Sequence, residues 1–267
     1  MESNEVHKKP TLKVVKIGGG VIEDPEALAH FCALFASLSG PKILIHGGGK
    51  SATLLAKKLG VDTKIIDGRR ITPKESLEVI VMSYAGGANK NIVSSLQANH
   101  CNAIGLSGAD GNSILAHKRI LAEIDYGYVG DIDLVNAALI DSLLALGLCP
   151  VFCAITHNGN GQLLNTNADT IAAAISAAMA PIYETSLYYC FEKKGVLSNI
   201  EKNIVIPVLT PSKMQIEIAS GVIQAGMIPK LSNGFAALRE GVHEVIIGNE
   251  NILKGKEPFT RLKMTAL

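Results

Sequence analysis

Short runs of β-branched and leucine residues alternate along the chain with segments whose apolar positions recur every three to four residues. Residues 12–17 (LKVVKI) predict a strand. Asp24 and Pro25 then open a helix as cap and first turn, and Leu28, Phe31, Cys32, Phe35 and Leu38 give it an apolar stripe that Gly40 and Pro41 end. Residues 42–46 (KILIH) are a second strand, a glycine run leads into a helix near 50–59, and residues 63–67 are a third strand. Residues 73 to about 99 read as helix, interrupted at Gly86 and Gly87. A strand at 103–106, a tight turn at Asp110-Gly111-Asn112 and a hairpin arm over 113–120 follow. Asn136 caps a helix ending at Gly147, residues 150–155 form a buried strand, and Asn167 caps an alanine-rich helix that stops at Pro181. A strand at 185–190, a helix from Thr210-Pro211 to around Gly226, another at about 231–239 and a final strand at 244–248 complete the pattern. Such alternation with short connections predicts an α/β fold, a mainly parallel sheet covered on both faces. A seam falls near residues 181–185, dividing the chain into 1–183 and 184–267.

Composition narrows the function classes. With 48% hydrophobic and 18% charged residues over 267 positions, the chain has what a packed core needs and is not disordered. A net charge of +1 and the absence of tryptophan leave no footprint for nucleic acid. The five cysteines are scattered with no CxxC pair, which predicts reduced thiols and neither a disulfide frame nor a zinc site. Residues 1–10 are too polar for a signal peptide, and the longest uncharged stretch, 142–168, is broken by Pro150, Gly159, Gly161 and four asparagines. The expectation is a cytoplasmic protein with no membrane span.

The candidate chemistry lies in five motifs. Lys16-Ile17-Gly18-Gly19-Gly20 ends the first strand, where bare backbone N–H groups and a lysine can wrap an anion. His46-Gly47-Gly48-Gly49-Lys50-Ser51 also joins strand to helix; Leu44 stands where a Walker A loop needs glycine. Gly47, Gly49 and Ala52 do fit the dinucleotide fingerprint, and Asp67 stands where a ribose-binding acid belongs, so this window alone supports an NAD-dependent oxidoreductase. Gly68-Arg69-Arg70 offers a guanidinium fork for a carboxylate, and one of its two arginines reads as a solvated turn residue. Asn165-Thr166-Asn167-Ala168-Asp169 places three polar side chains before a helix, of which capping explains one. In Gly226-Met227-Ile228-Pro229-Lys230 the lysine reads as following a helix C-terminus. The remaining histidines, His7, His30, His100, His117, His157 and His243, have no metal-ligand spacing.

The order of these motifs, with Gly161-Gln162-Leu163-Leu164 before the asparagine segment, resembles the N-acetylglutamate kinases of the amino acid kinase family over residues 12 to 253. The resemblance implies an open αβα sandwich that moves the ATP γ-phosphate to the γ-carboxylate of N-acetyl-L-glutamate, with Mg²⁺ bound through the nucleotide. It implies that the N-terminal part binds the amino acid and the C-terminal part the ATP. Lys16 and Lys230 would stabilise the transferring phosphoryl group and Asp169 would orient them. Gly18 and Gly19 would meet the phosphates, and Gly48, Gly49, Arg70 and Asn165 the acylglutamate, with Arg70 on its α-carboxylate. Where the family has an aspartate-containing turn, this chain has Phe191-Glu192-Lys193-Lys194-Gly195, which assigns Glu192, Lys193 and Gly195 to the nucleotide; Phe259-Thr260 replaces the family's closing Gly-Thr pair. Only about ten residues precede the first strand, too few for the N-terminal helix of hexameric, feedback-inhibited members. The expectation is a homodimer insensitive to arginine. The alternatives are the same reaction on N-succinyl-L-glutamate or another acidic amino acid, the NAD-dependent oxidoreductase, and a non-catalytic ligand sensor.

Overall fold

The computed structural model describes residues 9–66, 69–120, 124–199 and 202–265, with Arg69 and Ala225 described by their backbone alone. β1 (Thr11–Ile17) is followed by the short α1 (Gly19–Glu23) and by α2 (Pro25–Ala36), whose first N–H groups, of Glu26 and Ala27, donate to the Asp24 carboxylate. β2 (Lys42–His46) lies parallel to β1 and feeds α3 (Gly49–Lys58). β3 (Lys64–Ile66) and β4 (Arg69–Ile71) pair with each other as a separate antiparallel ribbon, so the third predicted strand does not extend the main sheet. Asp67 and Gly68 lie outside the described residues, as does His7.

α4 (Lys74–Val81), a π-helical segment over Met82–Ala88 and α5 (Asn89–Ala98) follow without a break. The interruption expected at Gly86-Gly87 is a widened helical turn instead; the glycines relax the winding without ending it. Next come β5 (Ala103–Leu106), β6 (Ile114–Lys118), β7 (Gly130–Val135), α6 (Ala137–Ala145), β8 (Cys149–Cys153), β9 (Ile155–His157), β10 (Leu163–Asn165) and α7 (Ala168–Met179). The last third holds β11 (Glu184–Cys190), the hairpin β12 (Leu197–Asn199) and β13 (Ile204–Val205), β14 (Val208–Leu209), α8 (Pro211–Ala219), α9 (Ile228–Arg239), β15 (Glu244–Gly248) and β16 (Thr260–Leu262).

The main sheet runs β14-β16-β15-β11-β1-β2-β8-β5 and is parallel except where β16 meets β15. Alternation within its strands fills two cores. Leu12, Val14, Ile43 and Ile45 pack on one face, Val15, Ile17 and Leu44 on the other, and helices cover both. This is the expected αβα sandwich. A second sheet, β10-β9-β6-β7, is not legible in the strand–helix alternation. It splits the strand expected at 150–155: β8 stays in the main sheet and β9 joins the second. Three other expectations are corrected. β15 is not the final strand, since β16 follows it. The helix from Pro211 ends at Ala219, well short of Gly226. Lys230 belongs to the first turn of α9 and does not trail a helix C-terminus.

β1 sits where the sheet's order reverses, with β2, β8 and β5 on one side and β11 and β15 on the other. In an open α/β sheet that reversal leaves a crevice beyond the carboxyl ends of the strands. Both glycine loops, after β1 and after β2, open into it.

Candidate active site

Asp169 lies one residue inside α7, where the Asn167 side chain caps the helix by accepting from the N–H groups of Asp169 and Thr170. Its Oδ1 is 2.8 Å from Lys16 Nζ and 2.9 Å from Lys230 Nζ. Lys16 comes from β1 and Lys230 from α9, so three elements far apart in sequence meet at one oxygen. All three side chains are 10–14% exposed. Burial alone would raise the Asp169 pKa, but the two ammonium groups hold it well below the usual carboxylate range. Burial lowers the Lys230 pKa, and repulsion from Lys16 adds to it; the result is about 8, with Asp169 opposing. Lys230 Nζ also sits 4.6 Å from the Tyr189 ring centroid and 5.9 Å from that of Phe191.

One cavity opens onto Lys16 and Asp169 and a second lies beyond Phe191; Lys230 itself lines neither. The larger, about 400 Å³, is lined by Lys16, Gly19, Gly48, Gly49, Arg70, Asn165 and Asp169, so it gathers seven of the expected site residues. The other, about 280 Å³, is lined by Phe191, Lys193 and Gly195 on one side and by residues 222–224, Gly226 and Met227 on the other. Gly18 lines neither: its N–H donates to the Cys190 carbonyl at 2.8 Å and it caps α1 from behind. Glu192 folds back over the first glycine loop, its carboxylate filling the space a Cβ on Gly20 would take.

The larger cavity is stiffened from below. His46 is fully buried at the end of β2. Its Nδ1 is 2.8 Å from the Gly47 carbonyl and its Nε2 is 3.0 Å from Asn89 Nδ2. Asn89 Nδ2 donates as well to the Val151 carbonyl. A neutral ring with its proton on Nδ1 satisfies every partner, and burial holds the His46 pKa down at about 4, helped by Lys16 and Lys90. Gly48 adopts φ +150°, and a Cβ there would stand 3.1 Å from the Tyr84 ring. Arg70 Nη2 donates to the Gly49 carbonyl at 2.8 Å and to Thr53 Oγ1 at 2.7 Å, and Nη1 donates to Thr63 Oγ1 at 3.1 Å. Asn165 Nδ2 donates to Thr72 Oγ1 at 3.1 Å.

Several of these residues escape sequence reasoning. His46 stands out only as part of a glycine motif, and Tyr84, Thr53, Thr72 and Asn89 carry no local signature. Tyr84 reaches the cavity, and Asn89 reaches His46 beneath it, on a helix whose register the π-helical segment shifts, which breaking the helix at Gly86 conceals.

The sequence profile of the amino acid kinase family matches residues 11–249. The chain belongs to this family. Among curated family members it is similar to the acetylglutamate kinase of Phocaeicola vulgatus, 48% identical over 90% of this chain and 93% of that one. It is also 50% identical to the acetylglutamate kinase of Cytophaga hutchinsonii, over 88% and 90% of the two chains. Of solved structures, smu.665 from Streptococcus mutans matches at a TM-score of 0.78 with 27% identity, over 95% of this chain and 99% of that one. An amino acid kinase fold thus accounts for the sandwich and its cleft, and a dehydrogenase reading of Gly47 to Ala52 is not favoured.

Proposed function

We propose that the chain transfers the γ-phosphoryl group of ATP to the side-chain carboxylate of N-acetyl-L-glutamate, giving an acyl phosphate and ADP. The observation that carries this reading is the pair of lysines, Lys16 and Lys230, sharing Asp169 at the wall of the larger cavity. The acid occupies the larger cavity, with Arg70, Asn165 and the Gly48-Gly49 backbone around it. The nucleotide occupies the smaller one, beside Lys193 and Gly195, and extends its phosphates past Lys230 toward Gly18 and Gly19. Residues 1–183 then make the acceptor lobe and 184–267 the nucleotide lobe.

The nucleophile is already ionised at neutral pH, so no general base is required. A carboxylate oxygen bonds to the γ-phosphorus as the bond to the bridging oxygen of ADP breaks, and ADP takes that electron pair. The difficulty is charge: an anion must approach a polyanion. Lys16 and Lys230 neutralise the transferring group, and Asp169 keeps both ammonium groups in place. Mg²⁺, arriving on the nucleotide, supplies the rest of the neutralisation. Asp169 Oδ1 is already spent on the two lysines, which supports that route.

Among the described residues no helix is long and apolar enough to cross a membrane. We place the enzyme in the cytoplasm as a homodimer, for which Leu54 and Leu59 near α3 and Met82 offer exposed apolar surface; light scattering of purified protein tests the assembly. The activity is tested by coupling ADP release to NADH oxidation. MgATP with N-acetyl-L-glutamate gives turnover, and glutamate and aspartate give little. Turnover with free glutamate but not with its N-acetyl form would overturn the substrate assignment.

A further inference from the structure

Resting on the acceptor-site reading above, we infer that Tyr84 is a substrate-binding residue whose hydroxyl supplies the second hydrogen bond to the acceptor's α-carboxylate, beside Arg70. Arginine usually grips a carboxylate with two parallel N–H groups. A guanidinium has two edges that present such a pair, and Nη2 belongs to both. In this site Nη2 is committed to the Gly49 carbonyl and to Thr53 Oγ1, and Thr53 Oγ1 is itself held by donating to Gly49. The N–H groups left over, on Nε and Nη1, do not share an edge. Arg70 in this arrangement gives a carboxylate one good hydrogen bond, not two.

Tyr84 is placed to give the other. It lines the same cavity, on the π-helical segment, and its ring packs on Gly48. Its hydroxyl reaches to within 3.9 Å of the position a Cβ would take on Gly49. Among the described residues nothing hydrogen-bonds to that hydroxyl, although Tyr84 is only 7% exposed. Burial raises its pKa, so the group keeps its proton and remains a donor at neutral pH. A segment wound as π-helix brings this phenol under the glycine loop. Asn89, the residue that follows this segment, lies under His46, so one irregular turn both stiffens the loop and arms it.

Tyr84→Phe removes the oxygen and keeps the ring on Gly48. Steady-state kinetics should show the KM for N-acetyl-L-glutamate raised about tenfold, as for one lost hydrogen bond to a charged group. The KM for MgATP stays within about twofold, because the nucleotide cavity is untouched. With the α-carboxamide analogue of the acceptor the difference between wild type and variant shrinks to about threefold or less, since a neutral partner gains less from the donor. Adding Thr53→Ala frees one of the two Nη2 N–H groups and recovers part of the loss. An unchanged KM for the acid in Tyr84→Phe overturns the inference, as does an equal penalty for acid and amide, which would make the hydroxyl a packing group only. Wild type that phosphorylates neither acceptor sinks the acceptor-site reading itself, and the role of Tyr84 with it.

Discussion

Two ammonium groups share one oxygen of Asp169, at 2.8 and 2.9 Å, in a site where neither is freely solvated. Removing either should be costly to the chemistry and cheap to the fold. Lys16→Ala or Lys230→Ala is expected to lower kcat by about 100-fold or more, the usual cost of losing one preorganised donor, with far-UV circular dichroism unchanged. Full activity in either purified variant contradicts the role of that lysine in neutralising the phosphoryl group. The pH dependence follows from the same cluster. Lys230 acts as a cation, and its folded-state pKa is lowered to about 8. The working form is therefore complete below that pH and lost above it. The kcat/KM for MgATP should be level below neutrality and fall as pH rises through about 8; a profile flat to pH 10 contradicts it. At this scale the sequence carries the residue types and their order, and Lys16, Asp169, Arg70 and Asn165, singled out from the motifs, line one cavity. It does not carry Tyr84 or Thr53, because a single tyrosine in an apolar helix looks the same whether it faces a core or a cavity.

At the level of elements, Asp169 and Lys230 depend on how their helices begin. Asp169 is fixed by the Asn167 cap, so Asn167→Ala should cost about 1 kcal/mol of stability. It should also lower kcat more than that loss of stability explains, measurable by pairing denaturant melts with kinetics. The junction of π-helix and α5 matters in another way. Asn89→Ala leaves His46 Nε2 and the Val151 carbonyl without their buried donor, at about 1–3 kcal/mol for each orphaned group. A large drop in thermal midpoint is the expected result, and an unchanged midpoint would show that water replaces the amide. Lys230 shows why element boundaries are hard to read. Met227-Ile228-Pro229 reads in the sequence as following the end of one helix, yet Pro229 sits at the start of the next, where its missing N–H costs nothing. Gly86-Gly87 misleads for the converse reason: surrounding packing keeps a helix going through residues that disfavour it.

For the molecule as a unit, strand–helix alternation is enough to give a mainly parallel sheet with two covered faces, and the ordered motifs give the crevice at its reversal. The second sheet stays hidden because β9 and β10 have only three residues each and their pairing is set by contacts across the molecule. That sheet brings Asn165, at the end of β10, beside Thr72, 93 residues away. The proposed acceptor cavity is lined by Lys16 and Asp169 and the proposed nucleotide cavity by Phe191, whose ring centroid is 5.9 Å from Lys230 Nζ, so the two ligands would meet at one charge cluster. Each ligand should stabilise the protein alone; MgATP at 100 times its Kd should add about 2.7 kcal/mol, read as a raised thermal midpoint. If the reaction makes an acyl phosphate, that product can be trapped. Purified protein is mixed with MgATP, hydroxylamine and N-acetyl-L-glutamate, with N-succinyl-L-glutamate in a parallel reaction, and the acyl hydroxamate is measured. Acyl-phosphate chemistry at the Lys16–Asp169–Lys230 cluster predicts hydroxamate from N-acetyl-L-glutamate, dependent on ATP and abolished in Lys16→Ala. No hydroxamate from either acid, in a folded protein that still gains stability from MgATP, would contradict it.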